Sequence, residues 1–323
     1  MNFRRFRWQA LVVALTAGLA LAGCGSSEPS GSKGGQPDIG FMAFDIGLDP
    51  FVSAMVDEIK SEAKANDVNL DVRNGSNDLN KQISQIQDFI TAGKDAIIVY
   101  PGDPEGIGPV VKQAEKAGIP VFAVNLQLAE NVPVTSFVGA NDEDYGRKQG
   151  EMLVKALGDE GKVGLIMGGL GTSAQILRTK GIEDVLADHP GIEMVEKQAD
   201  GWQGDKTLSL TQDWVSKHPK GDLDAIVVQG PQAMGAVRWA NKKGRDEIKW
   251  ILGDYPTDLI EPIKEGLIEG TISQDPAEQG REVLQAAIEY LTGDKSKIKK
   301  QMFTPLPLVT KDNVDELKPV FGL

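Results

Sequence analysis

Short β-like runs alternate with amphipathic helical stretches from Asp38 almost to the end of the chain, and this alternation narrows the choice of fold more than any other feature. Residues 39–44 form a short apolar run, after which Phe51, Val52, Met55, Val56, Ile59 and Ala63 recur at helical spacing on one face. Val68, Leu70 and Val72 alternate as a strand does. Leu79, Ile83, Ile86 and Ile90 return to the helical period behind the capping candidates Asn77 and Asp78. Residues 96–99 and 120–124 read as buried strands, separated by a helix through Val110, Val111, Ala114 and Ala117. Strands alternating with helices predict a parallel sheet covered on both faces.

The second half repeats the plan. Asp95-Ala96-Ile97-Ile98-Val99 has a counterpart in Asp224-Ala225-Ile226-Val227-Val228, and each is followed by a Pro/Gly turn and a helix ending in glycine, Gly118 and Gly244. Between them fall a strand over 162–167, a helix after Gly171-Thr172-Ser173, a strand over 192–198 and a helix over 205–217. The periodic region is too long for one compact core, so the spacing suggests two copies of one α/β domain, each a doubly wound parallel sheet.

In such sheets a ligand sits beyond the carboxyl ends of the strands. The residues just after each strand are therefore candidates: Asp45 and Asp49, Tyr100, Asn125 and Gln127, Gln229 and Gln232, Asp254 and Tyr255, and Gln274. Most are neutral hydrogen-bonding groups, with several carboxylates among them. Singly, each is better explained by turn chemistry or helix capping; as a set around one sheet edge they suit a ligand.

Catalytic chemistry is short of parts. The two histidines, His189 and His218, each precede a proline at an expected helix end, and the only cysteine is Cys24. Ser/His/Asp and Cys/His arrangements and a zinc site all lack members. Asn141-Asp142-Glu143-Asp144 lacks the spaced calcium loop and suits the charged N-terminus of a helix over 145–157. Gly168-Gly169-Leu170-Gly171-Thr172 follows a strand and opens a helix, but it has neither a P-loop ending nor a dinucleotide fingerprint. A glycine turn that admits ligand or backbone closely is the simpler reading. Neither a catalytic residue, a cofactor nor a metal is expected.

The first residues read as a secretory signal over 1–23: Arg4, Arg5 and Arg7, an apolar run over 10–21, then small residues ending at Cys24. The run is shorter than the ~20 residues a membrane span needs. With one cysteine no internal disulfide can form, so the fold rests on its core. Residues 24–37, rich in Gly and Ser, read as a flexible tether. Net charge is −13, and −16 without the three arginines, which argues against nucleic acid or anionic lipid as the main partner.

Leu21-Ala22-Gly23-Cys24 resembles the lipobox of bacterial lipoproteins, which implies a lipid on Cys24 and an extracytoplasmic protein held at a membrane only by that anchor. From Asp38 to about Val309 the chain resembles the sugar-binding type I periplasmic binding proteins, typified by ribose-binding protein, which feed ABC importers. The resemblance rests on Leu48-Asp49-Pro50-Phe51-Val52, Lys81-Gln82-Ile83-Ser84-Gln85-Ile86, Asp95-Ala96-Ile97-Ile98-Val99, Ala117-Gly118-Ile119-Pro120-Val121, Gly171-Thr172-Ser173-Ala174 and Ser273-Gln274-Asp275-Pro276. It implies two lobes, 38–139 plus 275–304 and 140–274 plus 305–323, joined by three crossings near Gly139-Ala140, Gln274-Asp275 and Thr304-Pro305. It further implies that Phe51 and Trp202 pack on a sugar's faces, that Arg178 donates to its hydroxyls and that Gln274 is a hinge residue touching ligand. On that reading, loss of Arg178 weakens binding and leaves the fold intact.

The chain also departs from the pattern. Asn125-Leu126 stands where an Asp-Arg pair is common, Gly230-Pro231 replaces an Asn-Asp pair, and Asp254-Tyr255-Pro256 replaces the Phe-Asp-Gly turn. Asn125, Gln127, Tyr100 and Tyr255 would suit a neutral polyhydroxylated ligand, a pentose or an acyclic polyol. The function expected is capture of such a ligand by a monomer and delivery to an importer's permease. The alternatives are a receptor lipoprotein serving a membrane sensor and a carboxylate-dependent hydrolase.

Overall fold

A computed structural model describes residues 35–322. The signal at 1–23, Cys24 and most of the tether lie outside the described residues. Five strands build the first sheet in chain order: β1 (Asp38–Ala43), β2 (Asn69–Asn74), β3 (Ala96–Val99), β4 (Val121–Val124) and β5 (Ser136–Gly139). Five more build the second: β6 (Gly161–Met167), β7 (Ile192–Ala199), β8 (Ala225–Val228), β9 (Lys249–Ile251) and β10 (Gly270–Ile272). Each sheet then gains one edge strand, β11 (Gln301–Phe303) in the first and β12 (Leu308–Thr310) in the second, giving the orders β11-β5-β4-β3-β1-β2 and β12-β10-β9-β8-β6-β7. The two orders superpose position by position, so the sequence repeat is a structural one.

One pair departs from the all-parallel expectation. β12 runs antiparallel to β10, with Leu308 opposite Ile272. The cause is the route of the chain: β11 ends beside Gly139 of β5, and after four intervening residues the chain enters the second sheet at the end where β10 stops. Starting there, without a helical crossover, a strand can only run the opposite way.

Helices cover both faces. They are α1 (Pro50–Ala65), α2 (Leu79–Ala92), α3 (Gly108–Lys116), α4 (Asp142–Leu157), α5 (Ser173–Ala187), α6 (Gly204–Lys217), α7 (Met234–Lys242), α8 (Ile260–Glu265) and α9 (Pro276–Thr292). Side-chain alternation along each strand feeds two cores per sheet. Phe41, Ala43 and Ile98 join Met55, Ile59, Val283 and Leu284 under α1 and α9, while Met42, Ile97 and Val99 join Ile86, Phe89 and Val111 under α2 and α3. Apart from Ala43, each such buried side chain contributes about 1.5–3 kcal/mol. Although α9 follows β10 of the second sheet, it packs on α1 and the first, so the chain crosses between lobes after β5, after β10 and after β11.

Capping residues at the cleft set where several helices begin. The Asp49 carboxylate accepts from the Val52 N–H at 2.9 Å with Pro50 next to it, Asn141 accepts from Asp144 at 3.2 Å, and Thr172 from Gln175 at 3.2 Å. Asp275 accepts from both Ala277 and Glu278 ahead of α9.

Candidate functional site

Between the carboxyl ends of the two sheets lies a cavity of about 110 Å³. A single water needs roughly 10–15 Å³ measured this way, so there is room for a compact small molecule. The first lobe contributes Phe44, Leu48, Asp49, Phe51, Tyr100, Asn125 and Leu126; the second contributes Ala174, Arg178, Trp202, Pro231, Gln232, Asp254 and Phe321, with Gln274 at the second crossing.

The second-lobe wall begins with an unusually close helix crossing. A Cβ on Gly146 of α4 would stand 2.0 Å from the Arg178 carbonyl oxygen, and one on Gly181 of α5 would stand 2.2 Å from that of Glu143. Only glycines let the two backbones nest this way, and the nesting buries Arg178 to 3% exposure. Its Nε donates to Asp142 Oδ1 at 2.8 Å, its Nη1 donates to the Gln229 carbonyl at 2.9 Å, and its guanidinium lies 3.8 Å from the centre of the Tyr145 ring. Desolvation opposes the charge, but the carboxylates of Asp142 and Asp254 outweigh it and hold the guanidinium above its ordinary range. Arg178 is therefore a buried structural cation as well as a cavity residue, and the expectation that its loss spares the fold does not survive this geometry.

Trp202 sits on a loop after β7 with φ 66. Its N–H donates to Asp200 Oδ1 at 2.8 Å, while Asp200 Oδ2 accepts from Thr207 at 2.6 Å and from Gln232 Nε2 at 2.7 Å. One carboxylate thus orients two wall residues; burial raises its pKa, against these bonds. A Cβ on Gly168 would fall 2.0 Å from the indole ring, and one on Gly230 would fall 3.1 Å from it. The glycine turn after β6 and the Gly230 departure from the family pattern make the space that Trp202 fills.

Asp254 follows β9 with φ 55. Its Oδ1 accepts from Gln274 Nε2 at 2.8 Å and from the Tyr145 hydroxyl at 3.0 Å, and that hydroxyl accepts from the Asp254 N–H at 2.7 Å. Burial pushes the Asp254 carboxyl up to about 6, with Arg178 pulling the other way. Gln274 in turn accepts from Gln279 at 3.2 Å, and Gln279 Oε1 accepts from Asn125 Nδ2 at 2.9 Å. Asn125, with φ 62, is thereby tied from the first lobe through α9 to the carboxylate of the second.

The first-lobe wall is mostly rings. Phe44 and Tyr100 lie 5.7 Å apart, and Phe51 meets Phe321 edge-on at 5.5 Å. Asp49 adds a carboxylate whose pKa burial raises.

Of the residues the sequence singled out, Asp49, Phe51, Tyr100, Asn125, Arg178, Trp202, Gln232, Asp254 and Gln274 line this one cavity. Four stand elsewhere. Asp45 closes a turn by accepting from the Gly47 N–H at 3.3 Å. Gln127 lines a more open groove at the rim, and its N–H donates to Ser173 Oγ across the lobes at 2.7 Å. The Gln229 side chain is buried among Gly168, Gln175 and Thr179, behind the wall. Tyr255 is 0% exposed in the second-lobe core. Phe44, Leu48, Leu126, Ala174, Pro231 and Phe321 line the cavity without having been singled out. As apolar residues they look like core in a sequence.

This architecture, two doubly wound lobes around one small cleft, defines a binding protein of the two-lobed type. A family model described as "Periplasmic binding protein domain" matches residues 39–295, and the chain belongs to that family. It is a family of extracytoplasmic binding proteins rather than enzymes. The chain is 30% identical to the xylitol-binding protein of Mycolicibacterium smegmatis, covering 95% of this chain and 86% of the relative. It is 28% identical to the ribose import binding protein of Bacillus subtilis, over 94% and 99% of the two. Among solved structures, an ABC transporter solute binding protein from Bacillus halodurans with bound myo-inositol aligns at TM-score 0.81 and 29% identity, over 87% of this chain and 97% of that one. Among the described residues no helix is long and apolar enough to cross a membrane, and no group of three or more His, Cys, Asp or Glu could hold a metal ion.

Proposed function

We propose that this protein captures a small neutral sugar or polyol, a pentose or an acyclic polyol above all, between its lobes and delivers it to the permease of an ABC importer. The observation that carries this reading is the mixed lining: the rings of Phe44, Phe51 and Tyr100 on the first lobe and Trp202 on the second stand with fixed polar groups, most of them on the second lobe, around a cavity of about 110 Å³. A polyhydroxylated molecule has C–H faces for the former and hydroxyls for the latter. Asp49 and Asp254 accept from hydroxyls, Arg178 and Gln232 donate, and ligand bridging the lobes favours the closed state that a permease can recognise. The protein acts as a monomer, bending at its three crossings.

A thermal-shift panel of pentoses, pentitols, hexoses and cyclitols tests the reading, since a ligand at 100 times its Kd raises stability by about 2.7 kcal/mol. Silence across the whole panel would sink it. The anchor is a separate part of the proposal: Cys24→Ala should move the protein from the membrane fraction to the soluble one without changing its melting temperature. Continued membrane association after that substitution would remove the lipid from the account.

A further inference from the structure

After β12 the chain turns through residues 311–317 and returns to the cavity. The Val320 N–H donates to the Tyr255 carbonyl and the Thr257 N–H to the Phe321 carbonyl, both at 3.0 Å, and Pro256 and Phe321 pair as an isolated bridge. The buried Tyr255 hydroxyl donates to the Val314 carbonyl at 3.3 Å. The returning segment is therefore fastened to the loop that carries Asp254. From there Phe321 leaves its own lobe: it is 8% exposed, belongs to the first-lobe core cluster, meets the Phe51 ring at 5.5 Å and 86°, and lines the cavity.

We propose that Phe321 is a further aromatic wall of the ligand site, set against the C–H edge of a small polyhydroxylated ligand, and that its contact with Phe51 favours the closed arrangement of the lobes. This rests on the sugar or polyol reading above. Phe44, Phe51 and Tyr100 from the first lobe and Trp202 from the second already line the cavity; a further ring beside Phe51 limits how large a ligand can be. Because Phe321 and Phe51 belong to different lobes, opening the cleft separates them and returns apolar surface to water.

The test uses the full chain, Phe321→Ala and Phe321→Leu, titrated calorimetrically with glycerol, xylitol, D-ribose and myo-inositol. Phe321→Ala should weaken xylitol or ribose binding about tenfold while weakening myo-inositol less, and Phe321→Leu should fall between. The changed ratio between ligands is the decisive readout, because a purely structural role would scale every Kd alike. Small-angle scattering without sugar should give a larger radius of gyration for Phe321→Ala than for the parent. Kd values that are unchanged overturn the proposal; Kd values changed by one common factor overturn the wall, because a weaker closed state alone scales every ligand alike. If the parent binds no member of the panel, the sugar or polyol reading falls; the scattering then decides for Phe321, an unchanged profile overturning its role and an expanded one supporting it.

Discussion

On the second-lobe side of the cavity Arg178, Asp254 and Gln232 are each held by hydrogen bonds within the protein, whereas the first-lobe side offers mainly the rings of Phe44, Phe51 and Tyr100 with Asp49 and Asn125 at its margin. The polar wall is thus ordered before a ligand arrives, and binding need not pay to arrange it. The aromatic wall supplies burial, which is less demanding of direction. Polar recognition is consequently merged with the stability of the second lobe, and changes there should register in both properties at once.

The largest expected effect is at Arg178. Arg178→Ala leaves Asp142 buried without its partner and strips the cation from the Tyr145 ring, which should cost about 3–5 kcal/mol of folding stability as well as ligand affinity. Tyr100→Phe, on the facing wall, removes one hydroxyl from a ring that keeps its packing, and should leave the melting temperature nearly unchanged while weakening the ligand. Chemical denaturation of both variants checks the contrast. Equal stability of Arg178→Ala and the parent would mean that the two walls are not built differently.

A smaller effect, of opposite sign, is expected at Asp254. Its carboxyl is raised to about 6 in the folded protein against an ordinary value of 3.8, so between those pH values the folded state binds the proton more tightly than the unfolded state does. Stability is accordingly highest below the window and is lost as pH rises through about 6, by on the order of 2–3 kcal/mol at neutral pH. Asp254→Asn keeps an acceptor for Gln274 and Tyr145 without the buried charge. Its melting temperature should exceed the parent's at pH 7 and meet it near pH 4, at the expense of ligand affinity. A constant difference across that range would show that the buried charge is not the cause.

The sequence made most of the scaffold legible because long amphipathic helices and buried strands leave strong periodic signals. The edge strands β11 and β12 and the strand β9, three residues each, are too short to carry a period, and only the family resemblance anticipated the chain's return to the first lobe. The site was legible as far as strand order goes: the rule of looking beyond strand ends gathered Asp49, Tyr100, Asn125 and Asp254. It fails at single-residue resolution because successive side chains face opposite ways. Asp254 faces the cavity while its neighbour Tyr255 enters the core. Phe321 left no local signal, since its meaning lies in a contact with Phe51 made far away in sequence.

The smallest expected effect probes a hydrogen bond that joins the two lobes at the rim. Ser173 opens α5 on the second lobe, and its hydroxyl accepts the Gln127 N–H of the first at 2.7 Å. The N-cap bond of that helix comes from Thr172, so Ser173→Ala removes the latch and leaves the helix start in place. One such bond contributes about 0.5–1.5 kcal/mol, and it exists only while the lobes are together. Its loss should lower the population of the closed state and raise the ligand Kd by roughly threefold to tenfold, mainly through a faster off-rate. Stopped-flow dissociation of the best ligand measures this, with the melting curve of the free protein as control. An unchanged off-rate would assign closure to the rings and the Asn125–Gln279–Gln274–Asp254 chain alone, and the rim would be a place where the lobes meet without holding each other.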